Sequence, residues 1–193
     1  MEKKIILTLF ELSGTFTKLY LELGFEVIQV DIQKDGSDVR LMKKIPGKVY
    51  GILAFPPCTH FAGSGARWWK DKGDEALLEG LSCVDAVLRM VQIYNPKFWA
   101  LENPVGRLKH YIGEPKFKFQ PFEFAGHIEN WQDEAYTKKT CLWGSFQEPE
   151  KKPVENLHGS MMWSKYGGKS ERTKTLRSKT PLGFAKAFVE ANH

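Results

Sequence analysis

Short apolar runs alternate with segments of helical periodicity through the first half of the chain, and this alternation limits the folds open to it. Apolar residues repeat with helical spacing between Phe16 and Leu23, and again between Asp74 and Tyr94. The apolar runs that read as buried strands cover Lys4 to Phe10, Phe25 to Val30, Val49 to Phe55 and Phe98 to Leu101. This alternation predicts an α/β fold with a mostly parallel sheet and helices on both faces.

The length of 193 residues suits one domain with a substantial core, so we predict a single domain over residues 1–193. From about residue 115 to residue 180 the sequence shows little periodicity, which predicts an irregular region. No apolar stretch approaches the roughly 20 residues of a membrane helix. We therefore expect a cytoplasmic protein with no membrane partner. The net charge of +5 permits contact with a polyanion, although an ordinary solvated surface explains it equally well.

Residues with chemically useful side chains follow the predicted strands. The segment from Phe10 to Gly14, Asp31, Cys58 and Glu102 all come at or just after strand ends. In a parallel α/β sheet, ligands bind beyond the carboxyl ends of the strands. The sequence therefore predicts that these residues gather at one edge of the sheet and form the functional site.

The turn from Phe10 to Gly14 joins the first strand to the first helix, where backbone amides can approach a ligand. Asp31 follows about twenty residues later, at a position where a carboxylate can bind both hydroxyls of a ribose. An ordinary tight turn with a capping aspartate explains the same residues. The turn lacks the Gly-x-Gly-x-x-Gly pattern of nicotinamide enzymes, which argues against a dehydrogenase.

Cys58 follows the third strand in Pro56-Pro57-Cys58, where the prolines favour an extended turn. A loop cysteine at the carboxyl edge of a sheet is reactive if a positive group or a helix start lowers its thiol pKa. A buried structural cysteine is the simpler alternative. Cys83 and Cys141 have the character of packing residues. The cysteines lack the spacing of a zinc site, so we expect no metal.

Glu102 comes at the end of an apolar strand, where a carboxylate is costly unless it meets a partner. A carboxyl group in such a place can have a raised pKa and act as a proton donor. A structural salt bridge is the alternative. We predict that Asn103-Pro104 forms the turn that carries this carboxyl group, with a cis peptide bond as one option.

Taken in order, Phe10 to Gly14, Asp31, Pro56-Pro57-Cys58 and Glu102-Asn103-Pro104 resemble the motif series of the DNA cytosine-5 methyltransferases. The resemblance is closest to the short, phage-type members. Residues 65–69, 136–143 and 177–185 are also similar to segments of those members, so the match spans nearly the whole chain. It implies a Rossmann-like S-adenosylmethionine-dependent methyltransferase fold, in which the irregular region faces the substrate.

The resemblance also implies a role for each matching position. Cys58 would be the nucleophile that adds to carbon 6 of cytosine, and Glu102 would hold ring nitrogen 3 and the amino group. Lys139 or its neighbour Lys138, or else Arg67, would replace the arginine of the family's Gln-x-Arg-x-Arg motif, which is missing here. The positions implied for S-adenosylmethionine are Phe10, Glu11, Leu12, Ser13, Gly14, Thr15, Asp31, Ile32, Asp38 and Pro56.

The sequence departs from the family in having no room for a separate target-recognition domain. One hypothesis is therefore a minimal DNA methyltransferase of a bacterial or phage-infected cell, with a partner protein that recognises the target sequence as one option. In that case phosphates and unstacked bases would be held by Arg67, Trp68, Trp69 and the basic stretch from Lys165 to Lys179, although an amphipathic surface loop explains these residues equally well. A second hypothesis is the same chemistry on RNA or a free pyrimidine nucleotide. A third is a non-catalytic nucleic-acid-binding relative, for which neither Cys58 nor Glu102 would be needed.

Overall fold

The computed structural model describes residues 4–160 and 179–193. The chain divides into two compact units, which are described one at a time. The first comprises Met1–Phe117 and Thr140–Phe146, and the second comprises Lys118–Lys139 and Gln147–His193. That the whole chain acts as a single domain stays a prediction.

The sheet follows the predicted α/β plan. Its strands are β1 (Ile5–Leu9), β2 (Glu26–Val30), β3 (Val49–Ala54), β4 (Phe98–Pro104), β5 (Phe117–Phe119) and β6 (Thr140–Ser145). Their order in the sheet is β2-β1-β3-β4-β6-β5. The four strands β2, β1, β3 and β4 run parallel, whereas β6 pairs antiparallel with β4. The mixed but mostly parallel sheet confirms the fold class that the strand–helix alternation predicts.

Five α-helices accompany these strands in the described parts of the chain. They are α1 (Thr15–Glu22), α2 (Ile32–Asp35), α3 (Trp69–Tyr94), α4 (Lys109–Ile112) and α5 (Leu182–Ala191). Short 3₁₀-helices cover Val39–Leu41, Gly63–Trp68, Pro121–Glu123, Ala125–His127 and Trp131–Glu134. Within these described ranges, no helix combines the length and the apolar character that crossing a bilayer requires.

Helices α1 and α3 pack on opposite faces of the sheet. The hydroxyl groups of Thr8 on β1 and Thr17 on α1 are 2.9 Å apart, so this face of β1 meets α1. The neighbouring residues Leu7 and Leu9 point the other way, because successive side chains of a strand alternate. They share a buried cluster with Val84 of α3. The prediction of helices on both faces is therefore confirmed.

Strand β4 is longer than the sequence predicts, and its last residues are extended. The predicted strand ends at Leu101, with a turn at Asn103-Pro104. In the structure Glu102 to Pro104 pair with residues 142 to 140 of β6. No cis peptide bond occurs in the described residues. The predicted turn at Asn103-Pro104 is wrong, because these residues pair with β6. The local sequence pattern around β6 does not indicate a strand, so this pairing was not predicted.

Helix α3 begins earlier than predicted and contains a break. It starts at Trp69 rather than Asp74, and Gly73 inside it has non-helical angles of φ 69° and ψ −173°. A positive φ of this size is readily adopted only by glycine. The periodic apolar face that predicts the helix begins after this break.

The second unit is built from the later 3₁₀-helices and α5. The rings of Phe119 and Phe184 stack with centroids 3.8 Å apart, and Phe124 and Phe188 also contact Phe184. Helix α5 supplies both Phe184 and Phe188 to this aromatic cluster. Most of the basic stretch from Lys165 to Lys179 lies outside the described residues.

Candidate active site

The sheet register brings the predicted strand-end residues to one edge. Four residues lie side by side across the parallel strands β2, β1, β3 and β4. In that order they are Val30, Leu9, Ala54 and Leu101. The residues that follow them in the chain are Asp31, Phe10, Phe55 and Glu102. With neighbouring strands about 4.8 Å apart, Asp31 and Glu102 mark positions about 14 Å from each other along this edge, and Cys58 follows from the strand next to Glu102. The predicted gathering of strand ends is confirmed.

The turn after β1 has two residues in the left-handed region of backbone space. Phe10 has φ 58° and Gly14 has φ 66°. Left-handed geometry is unusual for a residue such as phenylalanine and is found mostly where surrounding structure enforces it. The amide of Phe10 donates to the carbonyl of Val30 at 2.8 Å, which fixes the start of the turn to β2. The turn is therefore a constrained element at the sheet edge.

Glu11 stabilises this turn with its side chain. Its buried carboxylate accepts hydrogen bonds from the amide of Phe16 at 2.7 Å and the hydroxyl of Thr17 at 2.8 Å, at the start of α1. Burial raises the pKa of Glu11 above its ordinary value, and the hydrogen bonds from Thr17 and Phe16 oppose this shift. Among the predicted cofactor residues, Glu11 therefore has its carboxylate committed to capping α1, and its carbonyl accepts a hydrogen bond from the side-chain amide of Gln29.

Asp31 begins α2 and is 6% exposed. Its Oδ1 accepts from the amide of Gln33 at 2.8 Å, whereas Oδ2 makes no hydrogen bond with the described residues. The capping role and a ligand role are thus compatible, because each uses a different oxygen. Leu12 and Ile32, from the two adjacent turns, are 40% and 57% exposed and offer apolar surface.

Three other predicted cofactor positions have local roles. Ser13 and Thr15 hydrogen-bond each other through their hydroxyl groups at 3.0 Å. Asp38 is bound by Arg40, whose guanidinium lies 2.6 Å from its carboxylate. This hydrogen bond lowers the pKa of Asp38 below its ordinary value. The carboxylate of Asp38 is therefore engaged with Arg40, on a 3₁₀-helix beyond α2.

Cys58 is exposed in a tightly bonded loop after β3. The carbonyl of Cys58 accepts hydrogen bonds from the amides of Phe61 and Ala62, both at 2.9 Å. Cys83 and Cys141 are buried, as expected of packing residues. None of these three cysteines, all of them described, forms a disulfide. The one exposed thiol is thus the one that the motif identifies.

Glu102 lies next to this loop along the sheet. It is half-buried in β4, opposite Leu142 of β6. The next residue, Asn103, is buried, and its Nδ2 donates to the carbonyl of Pro56 at 3.0 Å. One hydrogen bond therefore connects the residue after Glu102 with the segment that leads into Cys58. Pro56, a predicted cofactor position, is buried and takes part in this link.

Unpartnered buried polar atoms concentrate at this junction. Within the described residues, four buried side-chain nitrogen or oxygen atoms have no hydrogen-bond partner: His60 Nδ1, Trp69 Nε1, Asn103 Oδ1 and Arg107 Nη2. Such atoms are rare in folded proteins and call for a specific explanation. All four belong to the Cys58 loop, to the residues after Glu102 or to the start of α3. His60 and Arg107 belong to no recognised sequence motif, so neither is predicted as a site residue.

Arg67 and Lys139, the predicted base contacts, are both exposed. Arg67 lies on the 3₁₀-helix Gly63–Trp68, with its guanidinium carbon 5.0 Å from the ring centre of Trp68. Trp68 is itself 50% exposed. Lys139 is the last residue of the second unit before β6, beside Lys138, whose Nζ donates to the carbonyl of Lys179 at 3.3 Å. The described residues hold no group of three or more histidine, cysteine or acidic side chains that could bind a metal ion.

Comparison with known proteins finds a similarity among solved structures. No protein-family model matches the chain, and no curated protein sequence matches it. A solved structure from an E. coli prophage, provisionally assigned as a DNA modification methyltransferase, matches with a TM-score of 0.45 and 16% identity. The match covers 74% of this chain and 47% of that structure, so this chain spans about half of its length. Similarity at this level assigns neither a family nor an activity.

Proposed function

We propose that the protein transfers a methyl group from S-adenosylmethionine to carbon 5 of cytosine in DNA, through a covalent adduct with Cys58. The observation that carries the proposal is the junction of the two motifs that resemble the cytosine-5 methyltransferases. The hydrogen bond from Asn103 to Pro56 holds the Glu102 strand against the loop of the only exposed cysteine among the described residues. A binding protein would need neither this thiol nor this carboxyl group beside it.

Cys58 provides the nucleophile in this proposal. Its thiolate forms a carbon–sulfur bond with carbon 6 of the pyrimidine, and the ring electrons move toward carbon 5. The hydrogen bonds that fix the Cys58 carbonyl restrict the loop before substrate arrives. Such restriction favours attack because less freedom is lost in reaching the reactive geometry.

Glu102 makes the ring a better electrophile. In its protonated form the carboxyl group donates a hydrogen bond to ring nitrogen 3, while its second oxygen accepts one from the amino group. Electron density that leaves the carbon 5–carbon 6 bond is thereby stabilised. When carbon 5 later loses its proton, the carbon–sulfur bond breaks and the thiolate of Cys58 is restored.

The residues at the ends of β1 and β2 fit the cofactor. The constrained turn from Phe10 to Gly14 would lie under it, Oδ2 of Asp31 would accept from a ribose hydroxyl, and the exposed surfaces of Leu12 and Ile32 would flank the adenine. S-adenosylmethionine, when bound, supplies the electrophilic methyl group that carbon 5 accepts. These side chains bind and orient it.

DNA is favoured as the substrate by the basic charge balance and by the Arg67–Trp68 pair. The chain has 28 lysines and arginines against 23 acidic residues. An exposed tryptophan beside a guanidinium group can stack on an unpaired base and contact a phosphate. In duplex DNA the target cytosine must leave the stack to reach Cys58. Lys139 is a further candidate contact to the base, and a partner protein could supply sequence specificity.

Two alternatives to DNA methylation remain. RNA or a free pyrimidine nucleotide would undergo the same addition at Cys58 and would need no long basic surface. A non-catalytic relative would bind nucleic acid without transferring a methyl group.

The test is transfer of labelled methyl from S-adenosylmethionine to DNA of mixed sequence. We expect incorporation into cytosine with the wild type and its loss in Cys58→Ser and Cys58→Ala. Cys83→Ala is the matched control, because it removes a buried thiol outside the site, and it should retain activity. Binding of the cofactor without incorporation into DNA would reject the proposal, and RNA and nucleotide substrates would then separate the alternatives.

A further inference from the structure

The segment that follows β4 is bonded along its length to the Cys58 loop. The amide of Arg107 donates to the carbonyl of Phe61 at 2.9 Å, and the amide of Gly63 donates to the carbonyl of Val105 at 2.9 Å. Ala62 and Gly106 form an antiparallel bridge between these contacts. Backbone hydrogen bonds therefore help to hold the far end of the loop, at residues 61–63.

The side chain of Arg107 adds a contact closer to the nucleophile. Its Nε donates to the carbonyl of His60 at 2.7 Å, two residues after Cys58. Its guanidinium carbon also lies 4.7 Å from the ring centre of Trp69, the first residue of α3. A single side chain thus joins the residues after Glu102, the loop that carries Cys58 and the start of α3.

This arrangement leaves several buried polar atoms without a hydrogen-bond partner. A contact that served stability alone would not require such unpaired atoms. Arg107 Nη2, Trp69 Nε1 and His60 Nδ1 are all buried without a hydrogen-bond partner. Burying a polar group without a hydrogen-bond partner destabilises a protein, and more so when the group is charged. Burial, followed by the nearby charge of Lys72, lowers the pKa of His60 below its ordinary value.

We propose that Arg107 is a positioning residue for Cys58. Its guanidinium fixes the backbone at His60 and so holds the thiol in the direction required for attack on the pyrimidine. Arg107 itself touches no reacting atom in this proposal. The catalytic consequence rests on the proposed methyl transfer, whereas the effect on the thiol does not.

The experiment compares Arg107→Ala and Arg107→Lys with Lys116→Ala. Lys116 is a matched control because it also donates to a backbone carbonyl, that of Phe146, and lies over an aromatic ring, 4.5 Å from the centre of Phe146. We expect Arg107→Ala to lower kcat about 100-fold, as for a misplaced reacting group, with KM for DNA and cofactor affinity within threefold of the wild type. The kcat of Arg107→Lys should be at least tenfold higher than that of Arg107→Ala, because the lysine ammonium can still reach the carbonyl of His60.

A second readout needs no methyl transfer. The rate of Cys58 alkylation by iodoacetamide is measured at pH 9.5, above the ordinary thiol pKa of about 8.5, so that it reports the freedom of the loop. We expect this rate to rise threefold or more in Arg107→Ala and to stay unchanged in Lys116→Ala. Cys83 and Cys141 are buried and should stay protected, which shows that the variant is folded.

The outcomes separate this inference from the proposed function. An unchanged kcat together with an unchanged alkylation rate in Arg107→Ala would overturn the positioning role, as would an effect on KM alone. If the wild type transfers no methyl group, the proposed function fails, and the alkylation rates decide the role of Arg107 by themselves. If Arg107→Ala exposes Cys83 and Cys141, the same measurements on Arg107→Lys decide it.

Discussion

Single residues determine how closely the Cys58 loop can approach the end of β4. A Cβ atom added at Gly106 would lie 1.8 Å from the carbonyl oxygen of Phe61, which is backbone and cannot move aside easily. Gly106 therefore permits the bridge to Ala62, beside the hydrogen bond that Arg107 makes with Phe61. The residue after Glu102, Asn103, supplies the other connection. The missing side chain of Gly106 and the side-chain amide of Asn103 thus join the end of β4 to the Cys58 loop.

Gly106→Ala should therefore destabilise the protein and displace the Cys58 loop. We expect a loss of about 1–3 kcal/mol in the free energy of unfolding, as for other substitutions that overfill a packed site. Urea denaturation measures this loss. Gly65→Ala is the control, because a Cβ atom there meets nothing within 4 Å, and it should unfold like the wild type. Equal stability of the two variants would contradict the close approach.

Glu102→Gln tests the proposed carboxyl group directly. The amide can no longer supply a proton to the ring, so we expect kcat for methyl transfer to fall about 10²- to 10⁴-fold. Cofactor affinity, measured by calorimetry, should stay unchanged, because Asp31 and the β1 turn bind the cofactor in this proposal. Glu22→Gln, at an exposed position on α1, is the control. Near-normal turnover by Glu102→Gln would remove Glu102 from the mechanism.

Two helices begin at carboxylates of residues other than the one directly before the helix. Helix α1 is capped by Glu11 rather than by Gly14, which precedes it. Helix α5 is capped by Glu134, which accepts from the amides of Leu182 and Gly183. Burial raises the pKa of both carboxylates above the ordinary value, against the hydrogen bonds that lower it. Glu134 therefore ties the start of α5 to a distant segment, whereas Glu11 ties the start of α1 to the turn that precedes it.

The raised pKa of Glu11 gives stability a definite pH dependence. Between about pH 4.5, the ordinary value for a glutamate, and the higher pKa of the folded state, the folded protein binds more protons than the unfolded chain. The contribution of Glu11 to the free energy of unfolding is therefore fully present below pH 4.5 and falls as pH rises through the folded pKa. Urea denaturation between pH 4 and pH 7.5 should show this fall.

Glu11→Gln should flatten that part of the pH profile, because the amide does not titrate. Glu22→Gln should keep the wild-type slope, since its side chain is exposed. The assignment would be contradicted if the free energy of unfolding of the wild type rose over this pH range and the rise were absent in Glu11→Gln.

At the level of elements, the sequence predicts what local patterns encode. The apolar runs around Ile52 and Leu101 and the periodic face of α3 are local, and they yielded the strands, the main helix and the shared edge. Strand β6 was missed because Thr140 to Ser145 is short and its pairing with β4 is a long-range contact. That pairing also extended β4 through Pro104. The cap of α5 and the role of Arg107 were missed for the same reason, because Glu134 and His60 are distant in sequence from their partners. The cap of α1 is local, but Glu11 was assigned only to the cofactor site.

On the scale of the whole molecule, charge distinguishes DNA from a small substrate. With a net charge of +5, binding to DNA should rest largely on phosphate contacts, which release counterions. Two or three such contacts predict that Kd for duplex DNA rises about 10- to 40-fold between 50 mM and 200 mM salt. Fluorescence anisotropy of labelled DNA measures this change. Absence of DNA binding at low salt, with tight binding of a pyrimidine nucleotide, would favour the alternative substrate.

The most direct measurement of the proposed chemistry is covalent trapping of Cys58 by DNA that carries 5-fluorocytosine. Fluorine at carbon 5 cannot leave as a proton does, so the adduct formed at carbon 6 cannot release the thiolate. In the presence of S-adenosylmethionine, mass spectrometry should find one DNA strand attached to the peptide that contains Cys58. Cys58→Ser should form no such adduct, whereas Cys83→Ala should form it normally. Wild-type protein that binds both DNA and cofactor yet yields no adduct would contradict the proposal.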